Sequence, residues 1–149
     1  MKRKLKSQDI YSTCVPSSIN YIRTIVTEFL DNLENIYGQV DECILFELKV
    51  ILNEVLVNAV KHGNKEDEKK QIKIKASISD EAVVNIVVED EGNGYDYEAV
   101  CNCSKPFCEG EDPLEISECG RGIMIIKSLC DNVKVSEKGN QIILAKSLL

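Results

Sequence analysis

The hydrophobic period changes around one very short turn, and this constrains the fold more than any other stretch. From Gln71 to Ser79 apolar side chains alternate, at Ile72, Ile74, Ala76 and Ile78, the pattern of a strand with one wet face. Asp80-Glu81 makes a tight turn, and Ala82 to Glu89, richer in Val and Ile, reads as a more central strand. Strands joined so closely run antiparallel, because a parallel pair needs a crossover of about a dozen residues or more. Upstream the period is helical. Leu5 to Val15 reads as a strand ending at Pro16, and Ser17 and Ser18 are candidate N-caps. Ile19, Ile22, Ile25, Val26, Phe29, Leu30 and Leu33 then recur at three and four, towards a glycine cap at Tyr37-Gly38. Asp41 caps a second helix that carries Ile44, Leu45, Leu48, Ile51, Leu52, Val55, Leu56 and Ala59 and is expected to stop at His62-Gly63. Asn64 to Lys70 is a charged loop. Gly92 to Cys119 has little period, Gly120 opens a short helix through Cys130, and Val133–Ser136 with Gln141–Lys146 forms a hairpin around Lys138-Gly139-Asn140. The order predicts an α/β (α+β) two-layer sandwich, with a mixed, largely antiparallel sheet and helices on one face. Strict strand–helix alternation is absent, which argues against a doubly wound sheet.

At 149 residues a single domain over 1–149 is expected, large enough to bury a core without disulfide staples. No stretch approaches the ~18–20 apolar residues of a membrane-spanning helix. The basic start, Met1-Lys2-Arg3-Lys4-Leu5-Lys6, is followed by no apolar core, so secretion is not expected. The formal charge is −7, and from Glu89 to Glu118 ten acidic residues face one base, Lys105. Direct nucleic-acid binding is therefore disfavoured. The acidic run points to a basic protein partner or to a plain solvated loop. Seven cysteines, an odd number, read as reduced thiols in a cytosol. Cys43 and Cys130 are expected to be buried small hydrophobes. Cys101-x-Cys103-x4-Cys108, with Cys119 beyond it, fits no common zinc spacing; a cysteine-rich loop open to oxidation is the simpler reading.

Three stretches carry chemistry. At about 100° per residue, Glu47, Glu54 and Asn58 fall within ~40° of one another, with Lys61 close by and His62 towards the apolar side, whereas Leu48, Leu52, Val55 and Ala59 lie about 100–160° round. Glu54 and Asn58, one turn apart, converge on one point. A carboxylate there can accept a hydroxyl proton, and an amide oxygen is a hard neutral ligand suited to Mg2+. Taken alone, the pair fits an ordinary solvated helical face better. Second, the strand Val83–Val88 delivers the chain to Glu89-Asp90-Glu91-Gly92-Asn93-Gly94. Glycines two apart after an aspartate let backbone approach something flat or anionic, or form only a sharp turn. Third, Gly120-Arg121-Gly122 begins a helix whose first N–H groups offer an anion site, or a plain cap. A P-loop is excluded, since its motif is absent.

In combination, Glu54-x3-Asn58-Ala59-x2-His62-Gly63, Asp90-x-Gly92-x-Gly94 and Gly120-x-Gly122 resemble the GHKL ATPase superfamily, which includes histidine kinases and gyrase. The short chain is most similar to the anti-sigma-factor serine/threonine kinases of Gram-positive bacteria, over about Pro16 to Lys146. The resemblance implies ATP and Mg2+ as cofactors. It implies Glu54 as catalytic base, Asn58 as Mg2+ ligand, and Asp90 as acceptor for the adenine amino group. It implies nucleotide contacts at His62, Gly92, Gly94, Gly120, Arg121 and Gly122, and an ATP lid over about 93–119. It also implies phosphorylation of an anti-anti-sigma protein, binding and inhibition of a sigma factor, a homodimer and a cytoplasmic location, with no membrane and no nucleic acid as partners. Many relatives carry a Gly-Thr step before the last strand where this chain has Gly139-Asn140-Gln141, so Asn140 or Gln141 would stand in. A non-catalytic ATP switch that sequesters a partner is the alternative, and Glu54 argues against it. A sensor histidine kinase fragment is disfavoured because the only histidine, His62, lies inside the nucleotide motif. A thiol or zinc redox sensor would rest only on the loop cysteines.

Overall fold

The computed structural model describes residues 7–92 and 118–149, the latter as backbone from 118 and with side chains from 122. The chain runs through β1 (Ser7–Pro16), a 3-10 turn (Ile19–Tyr21), α1 (Ile22–Tyr37), α2 (Glu42–Asn58) and a π-helical turn (Ala59–Gly63). It continues through β2 (Gln71–Ser79), β3 (Val83–Asp90), α3 (Glu118–Leu129), β4 (Asn132–Val135) and β5 (Gln141–Ser147). The five described strands form one sheet in the order β1-β2-β3-β5-β4. Every neighbouring pair is antiparallel, so no parallel pair accompanies them. The two-residue turn read from the sequence sits where expected. Ala82 takes a left-handed φ of 60°, its N–H donates to the Ser79 carbonyl at 3.0 Å, and β3 therefore starts one residue later than its hydrophobic pattern.

Alternation puts Ile72, Ile74, Ala76 and Ile78 of β2, Val84, Ile86 and Val88 of β3, and Ile142 and Leu144 of β5 on one buried face. Against it lie Ile25, Val26, Phe29 and Leu33 of α1, Leu48, Ile51, Leu52 and Val55 of α2, and Ile123 and Ile126 of α3. Each such side chain contributes about 1.5–3 kcal/mol through burial, and this layer fixes how the helices lie over the sheet. In β1 the register shifts between Asp9 and Tyr11, a bulge that lets both Ile10 and Tyr11 bury. Tyr11 meets Phe29 edge-on, ring centres 6.3 Å apart, and its hydroxyl donates to Glu28 at 2.6 Å.

Local chemistry explains the helix ends. Ser18 Oγ accepts from Asn20 N–H at 3.3 Å, Asp41 Oδ1 accepts from Cys43 N–H at 2.8 Å, and Gly38, at φ 105°, closes α1 with its N–H on Glu34 O. Four expectations change. The second helix ends as an α-helix at Asn58 and continues as a π turn to Gly63. α3 begins at Glu118, two residues before Gly120. Cys43 is exposed rather than buried, because it follows the cap on the outer side of α2. Cys130 is half-buried, and burial raises its thiol to about 11. The basic N-terminus and Cys101, Cys103 and Cys108 lie outside the described residues. No helix among the described residues is long and apolar enough to cross a membrane.

Candidate active site

The site begins where α2 stops being an α-helix. The N–H of Asn64 reaches back five residues to Ala59 O at 2.9 Å, and that of Glu66 reaches Val60 O at 2.8 Å. Such widened turns inside helices recur at functional sites. Here the turn carries Gly63 flat against Asp90. A Cβ on Gly63 would lie 2.2 Å from Asp90 Oδ2, and one on Gly92 would lie 1.9 Å from Gly63 O. Only glycine permits either approach. Asp90 is 3% exposed. Burial raises its carboxyl above the usual carboxylate range, opposed by the Gly92 N–H, reinforced by Glu89, and opposed again by Lys138 and Lys70. One carboxylate oxygen, Oδ1, accepts from Gly92 N–H at 2.8 Å.

Two asparagines hold this pocket. Asn64 is fully buried; its Oδ1 accepts from Glu91 N–H at 2.8 Å and its Nδ2 donates to Gln71 O at 3.0 Å. It thereby pins the end of β3 to the start of β2. Asn140 Nδ2 donates to Asp90 O at 3.2 Å, and Asn140 O accepts from Asp90 N–H at 2.9 Å. Asn140, in the Gly139-Asn140-Gln141 step, thus serves the backbone of Asp90. Gln141 lies beside Glu89, its Nε2 3.5 Å from Oε2. The sequence reading did not select Asn64, offered Asn140 only as a stand-in for the missing threonine, and took Gly63 as a helix stop and as the end of the first motif. The signal for Gly63 was its place after His62 in the motif. Asn64 had none.

The second half of the site lies where α3 packs on α2. A Cβ on Gly122 would fall 2.6 Å from Glu54 Oε2, 3.4 Å from Asn58 Nδ2 and 3.6 Å from Asn58 Oδ1. Glu54 is half-buried. Asn58 is 3% exposed, and its Nδ2 has no hydrogen-bond partner among the described residues. A buried amide end without a partner calls for one, and the two ends exchange by a 180° flip. Asn58 can therefore turn a neutral oxygen outward, which fits Mg2+ chemistry. Glu54, Asn58 and Gly122 form one cluster and Gly63, Asp90 and Gly92 another, joined by the five-residue π turn. His62 sits on that turn, half-buried. Gly120 lies in the first turn of α3, while Gly94, the Arg121 side chain and residues 93–117 of the expected lid lie outside the described residues.

The family described as "Histidine kinase-like ATPase domain" matches residues 15–146. The chain belongs to this family. Among similar proteins, "Serine-protein kinase RsbW" of Staphylococcus epidermidis is 30% identical over 130 residues, 87% of this chain and 80% of that protein. The protein of the same name from Staphylococcus aureus (strain MSSA476) is 29% identical over 144 residues, covering 93% and 87%. That from Bacillus subtilis is 24% identical over 120 residues, covering 80% and 71%. The histidine kinase domain of the Erythrobacter litoralis EL346 blue-light activated histidine kinase aligns with a TM-score of 0.51 at 17% identity. The match covers 85% of this chain and 61% of that one, and it shows the shared fold alone. This kinase-like ATPase domain is thus an ATP-using one. Its π turn is the joint between a buried aspartate pocket and a helix bearing a carboxylate and an amide.

Proposed function

We propose that the chain is an ATP-dependent serine/threonine protein kinase of a single domain, that it phosphorylates an anti-anti-sigma protein, and that it also binds and inhibits a sigma factor. The observation that carries this reading is the packing of Gly122 onto both Glu54 and Asn58, one helical turn apart, beside the buried Asp90 pocket. A pure binding module has no use for a carboxylate at the reacting end. The names of the relatives and the acidic run from Glu89 to Glu118, suited to a basic partner, support the partner assignments. A cytoplasmic homodimer belongs to the same reading.

Bound Mg-ATP supplies the transferable phosphoryl group and offsets its charge. Asp90 accepts from the adenine amino group, with Gly63 and Gly92 keeping its two sides open to a flat ring. Asn58 holds Mg2+ through its amide oxygen. The backbone N–H of Gly120, in the first turn of α3, faces the phosphates, with Gly122, His62 and Arg121 lining the same space and 93–119 as the lid. Glu54 takes the proton of the incoming serine or threonine hydroxyl as its oxygen bonds to phosphorus, and ADP leaves with the electrons of the broken bond. Positioning and charge neutralisation provide most of the rate in such transfers. Incubation with γ-labelled ATP, Mg2+ and a candidate anti-anti-sigma protein should label a partner serine or threonine. Glu54→Gln should abolish the label and spare ATP binding. Transfer at the wild-type rate by Glu54→Gln would overturn the assignment of the base.

A further inference from the structure

The inward face of β5 presents Ile142 and Leu144, and the next inward position is Lys146, opposite Val84 of β3. A lysine beneath the helix layer is costly unless its charge and donors are satisfied. Its side chain is 13% exposed. The ammonium is paired with Glu47 of α2 and donates to the carbonyl of Leu129, the last residue of α3, at 2.6 Å. Carbonyls of a last helical turn lack partners within the helix, and a cation there also suits the helix dipole. One side chain from the sheet therefore grips both helices.

The positions of the grip and of the site are related. Glu47 and Glu54 are seven residues apart on α2, and Gly122 and Leu129 are seven apart on α3. Seven residues make two turns, so each pair shares a face and is separated by about 10.5 Å along its helix. α2 meets α3 at Glu47–Lys146–Leu129 at one end and at Glu54–Gly122 at the other. The helices run antiparallel with equal spacing between the two contacts. An apolar ridge alone can slide, whereas a charged contact that needs both a carboxylate and a helix end has one setting.

We propose that Lys146 is a positioning residue which fixes α3 against α2 in the register that lays Gly122 on Glu54. The catalytic consequence rests on the reading of Glu54 as the base; the register itself does not. Lys146→Met removes the ammonium and leaves its two acceptors. Hydrogen exchange on the full chain should then show α3 amides exchanging tenfold or more faster, with β2 and β3 unchanged. Phosphoryl transfer at saturating ATP and partner should fall about 100-fold, the usual result of a ~1 Å misplacement, with ATP affinity nearly unchanged. A lysine that only stabilised the fold would lower the melting temperature and leave the saturated rate of the folded protein alone. If Lys146→Met fails to fold, Glu47→Leu with Lys146→Met removes both charges, a replacement buried pairs often tolerate, and is read the same way. Unchanged exchange in α3, or equal acceleration throughout the molecule, overturns the proposal. If the wild-type chain transfers no phosphate, the functional reading fails while the exchange result still decides the role of Lys146.

Discussion

Gly122→Ala separates catalysis from stability. Gly122 lies in the interior of α3 without a left-handed φ, so alanine fits the backbone, and the change favours the helix by about 0.8–1 kcal/mol. The new methyl would lie 2.6 Å from Glu54 Oε2, and ordinary contact begins at 3.4 Å. The carboxylate must therefore retreat by about 0.8 Å, since a Cβ bound to a helix cannot move as far as the end of a side chain. Asn58, at 3.4 and 3.6 Å, is already at ordinary contact and stays. An off-rotamer glutamate costs about 0.5–1.5 kcal/mol, which nearly cancels the helical gain, so thermal melting should shift by only a few degrees. Displacing the base by nearly 1 Å should cost about 100-fold in single-turnover transfer, while calorimetry finds ATP affinity almost unchanged. Glu54→Asp withdraws the carboxylate by one methylene, so adding Gly122→Ala to it should cost far less than it costs wild type, a non-additivity expected of groups in contact. A folded Gly122→Ala protein that transfers phosphate within about twofold of wild type would refute the claim that this contact sets the position of the base.

Asp90→Asn keeps an acceptor for Gly92 N–H and removes a buried charge. Because the Asp90 carboxyl is raised in the folded state, its stability contribution is complete below the ordinary carboxylate value and is lost as pH rises through the raised one. The asparagine variant should therefore gain on wild type as pH rises from 4 to 7.5 in thermal melts, yet bind ATP more weakly. GTP should bind more weakly than ATP by about 5- to 150-fold in calorimetry, since its carbonyl would oppose Asp90 and leave a buried acceptor unpaired, at roughly 1–3 kcal/mol. Gly63→Ala, whose methyl would lie 2.2 Å from Asp90 Oδ2, should abolish ATP binding and destabilise by about 1–3 kcal/mol in urea titration. Asn64→Ala strands the Glu91 N–H and the Gln71 carbonyl and should cost about 1–3 kcal/mol per stranded group by the same titration.

The fold was legible because its signals are local. Alternation in β2 and β3, the Asp80-Glu81 turn and the Asp41 cap are each read from a few neighbouring residues. The joint between them was not. Continuing the 100° wheel past Asn58 gave a single helix to His62, but the π turn is imposed by Gly63 having to lie against Asp90, a contact across 27 residues. Glu54 and Asn58 were legible as a pair because four-residue spacing on a helix is geometry. That Gly122 touches both depends on how α3 packs, which no spacing within α3 reveals. Glu47 lay on the same polar stripe as Glu54 in the wheel, and only the fold separates them, by putting Lys146 beside one and Gly122 beside the other. Asn64 could have been any loop asparagine until the two strands it bridges were in place.

The π turn also determines which kinds of genetic change the chain can absorb. A substitution at Lys61 leaves the number of residues between Asn58 and Gly63 intact, and so leaves the phase of the chain intact. Loss of one residue there does not. It would let the backbone fall back into α-helical winding and rotate the glycine by about 100° away from the aspartate, even if every remaining side chain were unaltered. The segment Ala59–Gly63 is thus a frame whose length constrains the site in addition to the glycine at its end. Deleting Lys61 should therefore cost far more ATP binding than substituting it.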